Sequence, residues 1–297
     1  MKKAIINLGA VSVVVLIITG CMADVRTIMV KKDGISVENE KKGEAILEKT
    51  WEKHGFDKLK DHENYSFKGK DVWKGMMGKM GKLWPDAESE MNFKYEVGSF
   101  NGQVSFVDGK RKGEKAGLQS WNYYEINGSG DTSQVDMNER IRFGLSAFQY
   151  FFEILDRMKN APIITYGGEK SVREKVYDVV FVTWESVTPH DEHDQYQLLV
   201  NQETGMLDFV IYTLRENYLK MPGSKMFHGS MEFGNYKVVD DIMIPHKQTV
   251  YLNDPKKKMK KHIHQLEVTD FKFDNFDTQD LFPFKEIKNT GDSKEQG

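Results

Sequence analysis

MNFKYEVGSFNGQVSF, residues 91–106, carries the pattern on which the reading of the fold turns. Met91, Phe93, Tyr95 and Val97 alternate with Asn92, Lys94 and Glu96, so four apolar side chains share one face of a strand and the polar ones share the other. A strand buried on one face belongs to an antiparallel sheet. Asn101-Gly102 is a strong hairpin signal leading into Val104 and Phe106, and Asp108-Gly109 marks the next reversal. Trp121, Tyr123, Tyr124 and Ile126 read as a further strand.

On either side of this stretch the period changes. Ala45 to His54 sets Ile46, Leu47 and Trp51 at helical spacing and stops at Gly55. Asp136 to Met158 is the clearest helix: Asp136 and Glu139 have capping-box spacing, and Ile141, Leu145, Phe148, Phe151, Phe152, Leu155 and Met158 recur every three or four residues. Its length is roughly 30 Å at 1.5 Å per residue, enough to cross the face of a sheet. Beyond it strands resume. Val176 to Trp184 is apolar on both faces, which predicts a strand covered on both sides. Tyr196 to Val200 and Met206 to Leu214 flank the turn Asn201 to Gly205, Met231 to Val239 reverses at Asp240-Asp241 into Ile242 to Leu252, and Lys261 to Phe273 supplies a last strand. Pro245 requires an edge position or a bulge. The fold class is mainly antiparallel β with helices, an α+β chain with no internal repeat.

The 297 residues carry a formal charge of −3, with lysine and glutamate interspersed along the chain, which excludes a nucleic-acid footprint. Lys256 to Lys261 is the dense basic cluster. Cys21 is the single cysteine, so no internal disulfide is available and stability must come from a core.

The amino terminus has the layout of an export signal: Lys2 and Lys3, an apolar run through Val11 to Ile18, then Ile18-Thr19-Gly20-Cys21. That run falls short of the about 20 apolar residues of a transmembrane helix. The last four residues resemble the bacterial lipobox. The resemblance implies removal of residues 1–20 and transfer of a diacylglyceryl group, with its palmitate-type chains, to the Cys21 thiol. Residues 1–20 hold two lysines and no acids, so their loss moves the formal charge from −3 to −5. Each buried methylene contributes about 0.8 kcal/mol, so two or three chains hold a protein to a bilayer permanently. Met22, in place of the aspartate that retains enteric lipoproteins at the inner membrane, points to the outer membrane. Residues 21–43, rich in charge and poor in large apolar groups, read as a flexible tether; 44–284 as one β-rich domain; and 285–297 as a disordered tail.

The order of elements from 44 to 284 resembles the LolA-like lipoproteins, and the phrases VNQETGML (Val200 to Leu207) and NYKVVDDIMIPH (Asn235 to His246) are similar to hairpins in that group. The resemblance implies an incompletely closed β-barrel, lidded by helices, whose concave apolar side accommodates acyl chains. It carries over no site residues. The lipobox departs from the soluble carriers of the group and fits a fixed receptor or binding module.

A curved sheet with one apolar face under a helix either packs solid or leaves a concave ligand space. The candidate ligand lining is Phe93, Tyr95, Phe106, Trp121 and Tyr123 from strands with Phe148, Phe152 and Leu155 from the helix; the same residues could equally form a filled core. Lys74 to Trp84 interleaves Met76, Met77, Met80, Leu83 and Trp84 with glycines and lysines, a composition suited to the lip of such a cavity.

Enzyme signatures are thin. His190-Asp191-Glu192-His193-Asp194 crowds metal-ligating groups together, but it follows Pro189 in a loop between strands rather than presenting H-E-x-x-H on a helix. His262 and His264 are two apart on a strand and point the same way. There is no G-x-S-x-G, no phosphate loop and no dinucleotide fingerprint. The sequence therefore reads as a non-enzymatic lipoprotein of the cell envelope, with no cofactor and with neither catalytic nor metal residues assigned. Its partners are the membrane through lipidated Cys21, a lipid or other hydrophobic small molecule, and an envelope protein, but no nucleic acid. Two alternatives stay open: a metal-assisted hydrolase using the His190 loop, and an assembly or interaction lipoprotein with a solid core.

Overall fold

The computed structural model describes residues 22–216, 218, 223–255 and 261–291. The signal segment, Cys21, most of the Lys256 to Lys261 cluster and the end of the tail lie outside the described residues. Thirteen strands form a single antiparallel sheet that does not close into a barrel. One arm is a meander of β1 (Asn64–Trp73), β2 (Glu88–Glu96), β3 (Gly102–Phe106), β4 (Lys115–Gln119), β5 (Asn122–Ile126) and β6 (Thr132–Gln134). The other runs through β7 (Ile163–Val172), β8 (Lys175–Thr183), β9 (Tyr196–Asn201), β10 (Leu207–Thr213), β11 (His228–Val239), β12 (Ile242–Leu252) and β13 (His264–Phe273). The arms join where β1 pairs with β13, which leaves β6 and β7 as the two edges.

The alternation in MNFKYEV is realised on β2. Met91, Phe93 and Tyr95 are buried and Asn92 is exposed, with Phe93 between Phe67 of β1 and Val104 of β3. The reversal after β2 falls earlier than the Asn-Gly pair, at Gly98 to Phe100. Asn101 instead brackets two hairpins: its amide donates to the Glu96 carboxylate at 2.6 Å and its carbonyl accepts from the Ser120 N–H at 2.6 Å. Trp121, read as a strand residue, sits with Ser120 in the positive-φ turn before β5.

The residues linking edge to edge are the long helix of the sequence, in two pieces. α4 (Glu139–Phe152) starts from an Asn138 cap whose side chain accepts the Ile141 N–H, not from Asp136. The chain pauses at Glu153, with ψ near 13°, before α5 (Ile154–Lys159). Glu153 is drawn into the core, where Arg157 at 2.7 Å, Gln149 at 3.0 Å and Tyr65 at 3.2 Å bond its carboxylate. Gly144 lets α4 settle on the sheet: a Cβ there would lie 2.8 Å from the Trp84 ring.

Pro245 lies inside the sheet rather than on an edge strand. β13 pairs with β12 only from Lys247 to Val250, so the Pro245 half of β12 has no strand partner on that side. His54 covers it, its carbonyl accepting the Met243 N–H at 2.8 Å.

The segment read as a tether is docked. α1 (Ile28–Asp33) and α2 (Val37–Lys53) occupy much of it, so the first long helix begins eight residues before Ala45. Val25 completes a second apolar cluster on the outer face with Val172, Tyr177, Leu199, Phe209 and Ile211. This is why β8 is apolar on both sides: Val180 and Val182 face the main core while Tyr177 faces the outer cluster. The Gln195 side chain accepts the Val25 N–H and the Gln197 amide donates to its carbonyl. Arg215 donates to the Ala23 carbonyl at 2.6 Å. A composition heavy in charge hid these few anchoring residues. The remaining short helix, α3, spans Gly75–Gly81.

Val25→Asp puts a carboxylate into the outer cluster and should lower stability by about 2–4 kcal/mol in urea unfolding, whereas a loss within about 0.5 kcal/mol would mean that the segment is not docked. Asp194 accepts the Thr213 hydroxyl at 2.8 Å and the Arg215 N–H at 2.9 Å, yet burial pushes its carboxyl up to about 6. A folded carboxyl raised above its unfolded value takes up a proton on folding, so stability is lost as pH rises from about 4 to about 6. Asp194→Asn keeps the accepting oxygen and removes that loss. Its stability relative to wild type should therefore grow by about 1–3 kcal/mol between pH 4 and 7, and a difference independent of pH would contradict the assignment.

Candidate functional site

α4 is apolar on more than one flank, and its two flanks meet different surroundings. Ile141, Leu145, Phe148 and Phe152 are buried in the main core. Phe143, Ala147, Tyr150 and Phe151, at i, i+4, i+7 and i+8, are only partly buried and face the arm of β9 to β12. Here the helix stands off the sheet and leaves two adjoining spaces.

The first is a cavity of about 170 Å³. Its walls include Phe148 and Phe151 of α4, Tyr212 of β10, Met231 of β11, Val250 of β12 and Trp73 of β1, and its surface is mainly apolar, with Ser224, His228 and His264 among the polar side chains on it. His264 and Trp73 line it too, and both bond the buried Asp71 behind them: its carboxylate takes one hydrogen bond from His264 Nε2 and one from the Trp73 indole N–H. The Trp73 ring stacks on the imidazole at 4.1 Å between centroids. Thus His264 is committed to a buried carboxylate, and the pair His262 and His264 does not present two free imidazoles to one ligand.

The second space is a cleft of about 320 Å³, lined by Trp121, Tyr150, Trp184 and Tyr196, with Glu192, His193 and Asp194 on its polar side. It shares Phe143, Ala147, Phe151, Tyr212 and Leu214 with the first. These five form a ridge between an apolar chamber and a mixed one. The Phe143 ring stacks on Tyr218 at 4.2 Å, which braces the ridge from the solvent side.

α3 stands over the first cavity. Gly78 permits its close approach to the chain just before β13, since a Cβ there would meet the Ile263 carbonyl at 2.3 Å. Met77 and Leu83 line the chamber, as does Phe227. Met76, Met80, Met226 and Phe227 are exposed, Met76 to 76 %. The glycine- and methionine-rich stretch is thus a short helix at the cavity wall, with flexible apolar side chains in reach of solvent.

Of the residues expected to line a ligand space, Phe148 borders the chamber and Trp121 the cleft. Phe93, Tyr95, Phe106 and Tyr123 border neither. α4 packs directly on that part of the sheet, with Phe93 against the Trp84 and Phe148 rings at 5.6 and 5.5 Å, so the space is filled. Phe152 and Leu155 border only a gap of about 10 Å³ near His54 and Tyr236. The residues overlooked are the second flank of α4 with Tyr212, Met231 and Val250. The spacing of Phe143, Ala147 and Phe151 was the available signal.

The His190 loop leaves β8 at Thr183 and rejoins the sheet at β9. His190 and His193 do not point apart: their rings lie 5.2 Å apart and within 25° of parallel. Glu185, absent from the motif as read in sequence, brings a carboxylate oxygen 3.1 Å from His193 Nε2.

No family model matches the sequence, and no curated protein matches it. Solved structures do. A DUF1329 family protein from Desulfovibrio piger superposes with a TM-score of 0.52 at 9 % identity, over 82 % of this chain and 97 % of that one. A LolA superfamily protein from Nitrosomonas europaea gives a TM-score of 0.48 at 11 % identity, over 80 % of this chain and 96 % of that one. At these identities, the first likeness shows a shared fold: an open antiparallel sheet with helices against it.

Proposed function

We propose that the protein is a lipid-anchored lipoprotein of the cell envelope, held at the outer membrane through Cys21, which binds one apolar or lipid-like chain between α4 and strands β10 to β12 without chemical turnover. The apolar chamber carries this reading. Its wall is mainly aromatic rings, Met77 and Met231; the two imidazoles on it, His228 and His264, are each engaged by a carboxylate, of Asp254 and Asp71, and the two spaces taken together fall in the usual ligand range of about 300–1,000 Å³. Burying an alkyl chain there gains about 0.8 kcal/mol per methylene, while the cleft can hold a polar head group. The lipobox and the resemblance to LolA-like lipoproteins support the same reading from the sequence.

The ridge supplies the test. Ala147 borders both spaces, so Ala147→Trp fills them from the helix side without touching the packed core. Native mass spectrometry of the soluble domain, residues 22–297 exported in the host behind a cleavable signal peptide and purified without detergent, should show a co-purifying mass in the lipid range with the native side chains and its loss from Ala147→Trp, with circular dichroism confirming that the variant is folded. A domain with the native side chains that is free of any such adduct, and unable to take up palmitate when it is supplied, would contradict the proposal.

A further inference from the structure

Outside the chamber, the cluster of Glu185, His190 and His193 meets the requirements of a transition-metal site. One potential ligand atom from each lies within 4.8 Å of the other two, the only such group of three among the described residues. His62, His228 and His264 each face a single carboxylate, of Asp274, Asp254 and Asp71 respectively. Two imidazoles and one carboxylate are the donors that zinc prefers, in a tetrahedral arrangement with bonds of about 2.0–2.2 Å.

Two of the three ligands are already placed. Glu185 follows the last residue pair of β8 and holds a left-handed backbone conformation, φ 56°. His193 precedes Asp194, whose carbonyl accepts the Thr183 hydroxyl and whose carboxylate is fixed by Thr213 and Arg215. The 3.1 Å between His193 Nε2 and the Glu185 oxygen is close to the edge of about 3.3 Å that two ligands span on a tetrahedral zinc ion. That nitrogen is shielded from solvent but makes no hydrogen bond of acceptable geometry. A buried nitrogen without a hydrogen bond is costly, and a metal ion removes the cost. His190 lies on the loop itself and needs to close by at most about 1.5 Å to reach the same separation. Closure gives up the hydrogen bond its Nδ1 accepts from the Glu192 N–H at 3.1 Å, because a neutral imidazole that ligates a metal carries its proton on the other ring nitrogen.

We propose that Glu185, His190 and His193 bind one zinc-class divalent ion, with water in the fourth position, and that the ion clamps the loop between β8 and β9 to its base. His193 borders the cleft, so the clamp fixes one wall of its mouth. The inference is independent of whether the chamber holds a lipid.

Cobalt(II) is the probe, because a tetrahedral site gives it an intense visible spectrum. The purified full chain, without a polyhistidine tag, should bind one Co²⁺ with that spectrum, and Zn²⁺ should displace it. His193→Ala should weaken binding at least about tenfold and Glu185→Gln by about tenfold, with circular dichroism unchanged because all three residues sit outside the strands. Absence of a tetrahedral spectrum on the wild type, or a His190→Ala/His193→Ala double variant that binds as the wild type does, would overturn the site.

Discussion

The structure depends on one connection. The two arms of the sheet grow outward from the β1–β13 pair, and their outer strands β6 and β7 are joined through space only by the chain that runs as α4 and α5 across the apolar face. A curved sheet of this size cannot leave such a face in water, and a 14-residue helix, about 21 Å long, cannot cover all of it. The consequence is an uneven lid. Over the first arm Gly144 lets the helix sink against Trp84, and aromatic rings from β1, β2 and the helix fill the interior. Over the second arm Phe151 meets Tyr212, with ring centroids 5.1 Å apart, but the flank of Phe143, Ala147 and Phe151 does not fill the space above Met231 and Val250, and the chamber is what remains. Packing and cavity are two results of the same placement.

The outer face presents the converse problem. Where β8 to β10 are apolar on both sides, a cover is needed, and the first described residues supply it. Val25 fills the apolar gap while Gln195, Gln197 and Arg215 bond the backbone around it. This arrangement brings the start of the domain close to Cys21 in sequence. In the proposed tethered state little slack separates the sheet from the bilayer, and the domain is held near the surface from which an apolar ligand would come.

Much of this was legible in the residues. Period-two alternation at Met91 to Val97 gave strand and face together, the apolar spacing after Asp136 gave a crossing helix, and the continuous apolar run at Val176 to Trp184 gave a strand covered twice. What covered it was hidden, because Val25 contributes one side chain among many charges, and composition averages such anchors away. The Asn101-Gly102 pair misled for a related reason: an asparagine that bridges two hairpins looks in sequence like one that makes a turn. The candidate lining was read on the apolar face beneath the core flank of the helix, whereas the open spaces lie along its other flank. Periodicity identifies which flank of a helix is apolar; it does not say which flank packs tightly, since that depends on Gly144 and Trp84 meeting at a distance of 60 residues along the chain. Glu185 escaped notice because it lies five residues before His190, and only the return of the loop brings it to His193.

The central claim is that the helix seals one half of the sheet and leaves the other able to accept an apolar chain. The most direct measurement is the crystal structure of the wild-type chain with a fatty acid brominated near its methyl end, located by the anomalous signal of bromine. The account predicts a peak in the chamber bounded by Phe151, Tyr212, Met231 and Val250. A peak beneath Phe93 and Tyr95, or bromine found only on the outer surface of an otherwise well-ordered molecule, would contradict it.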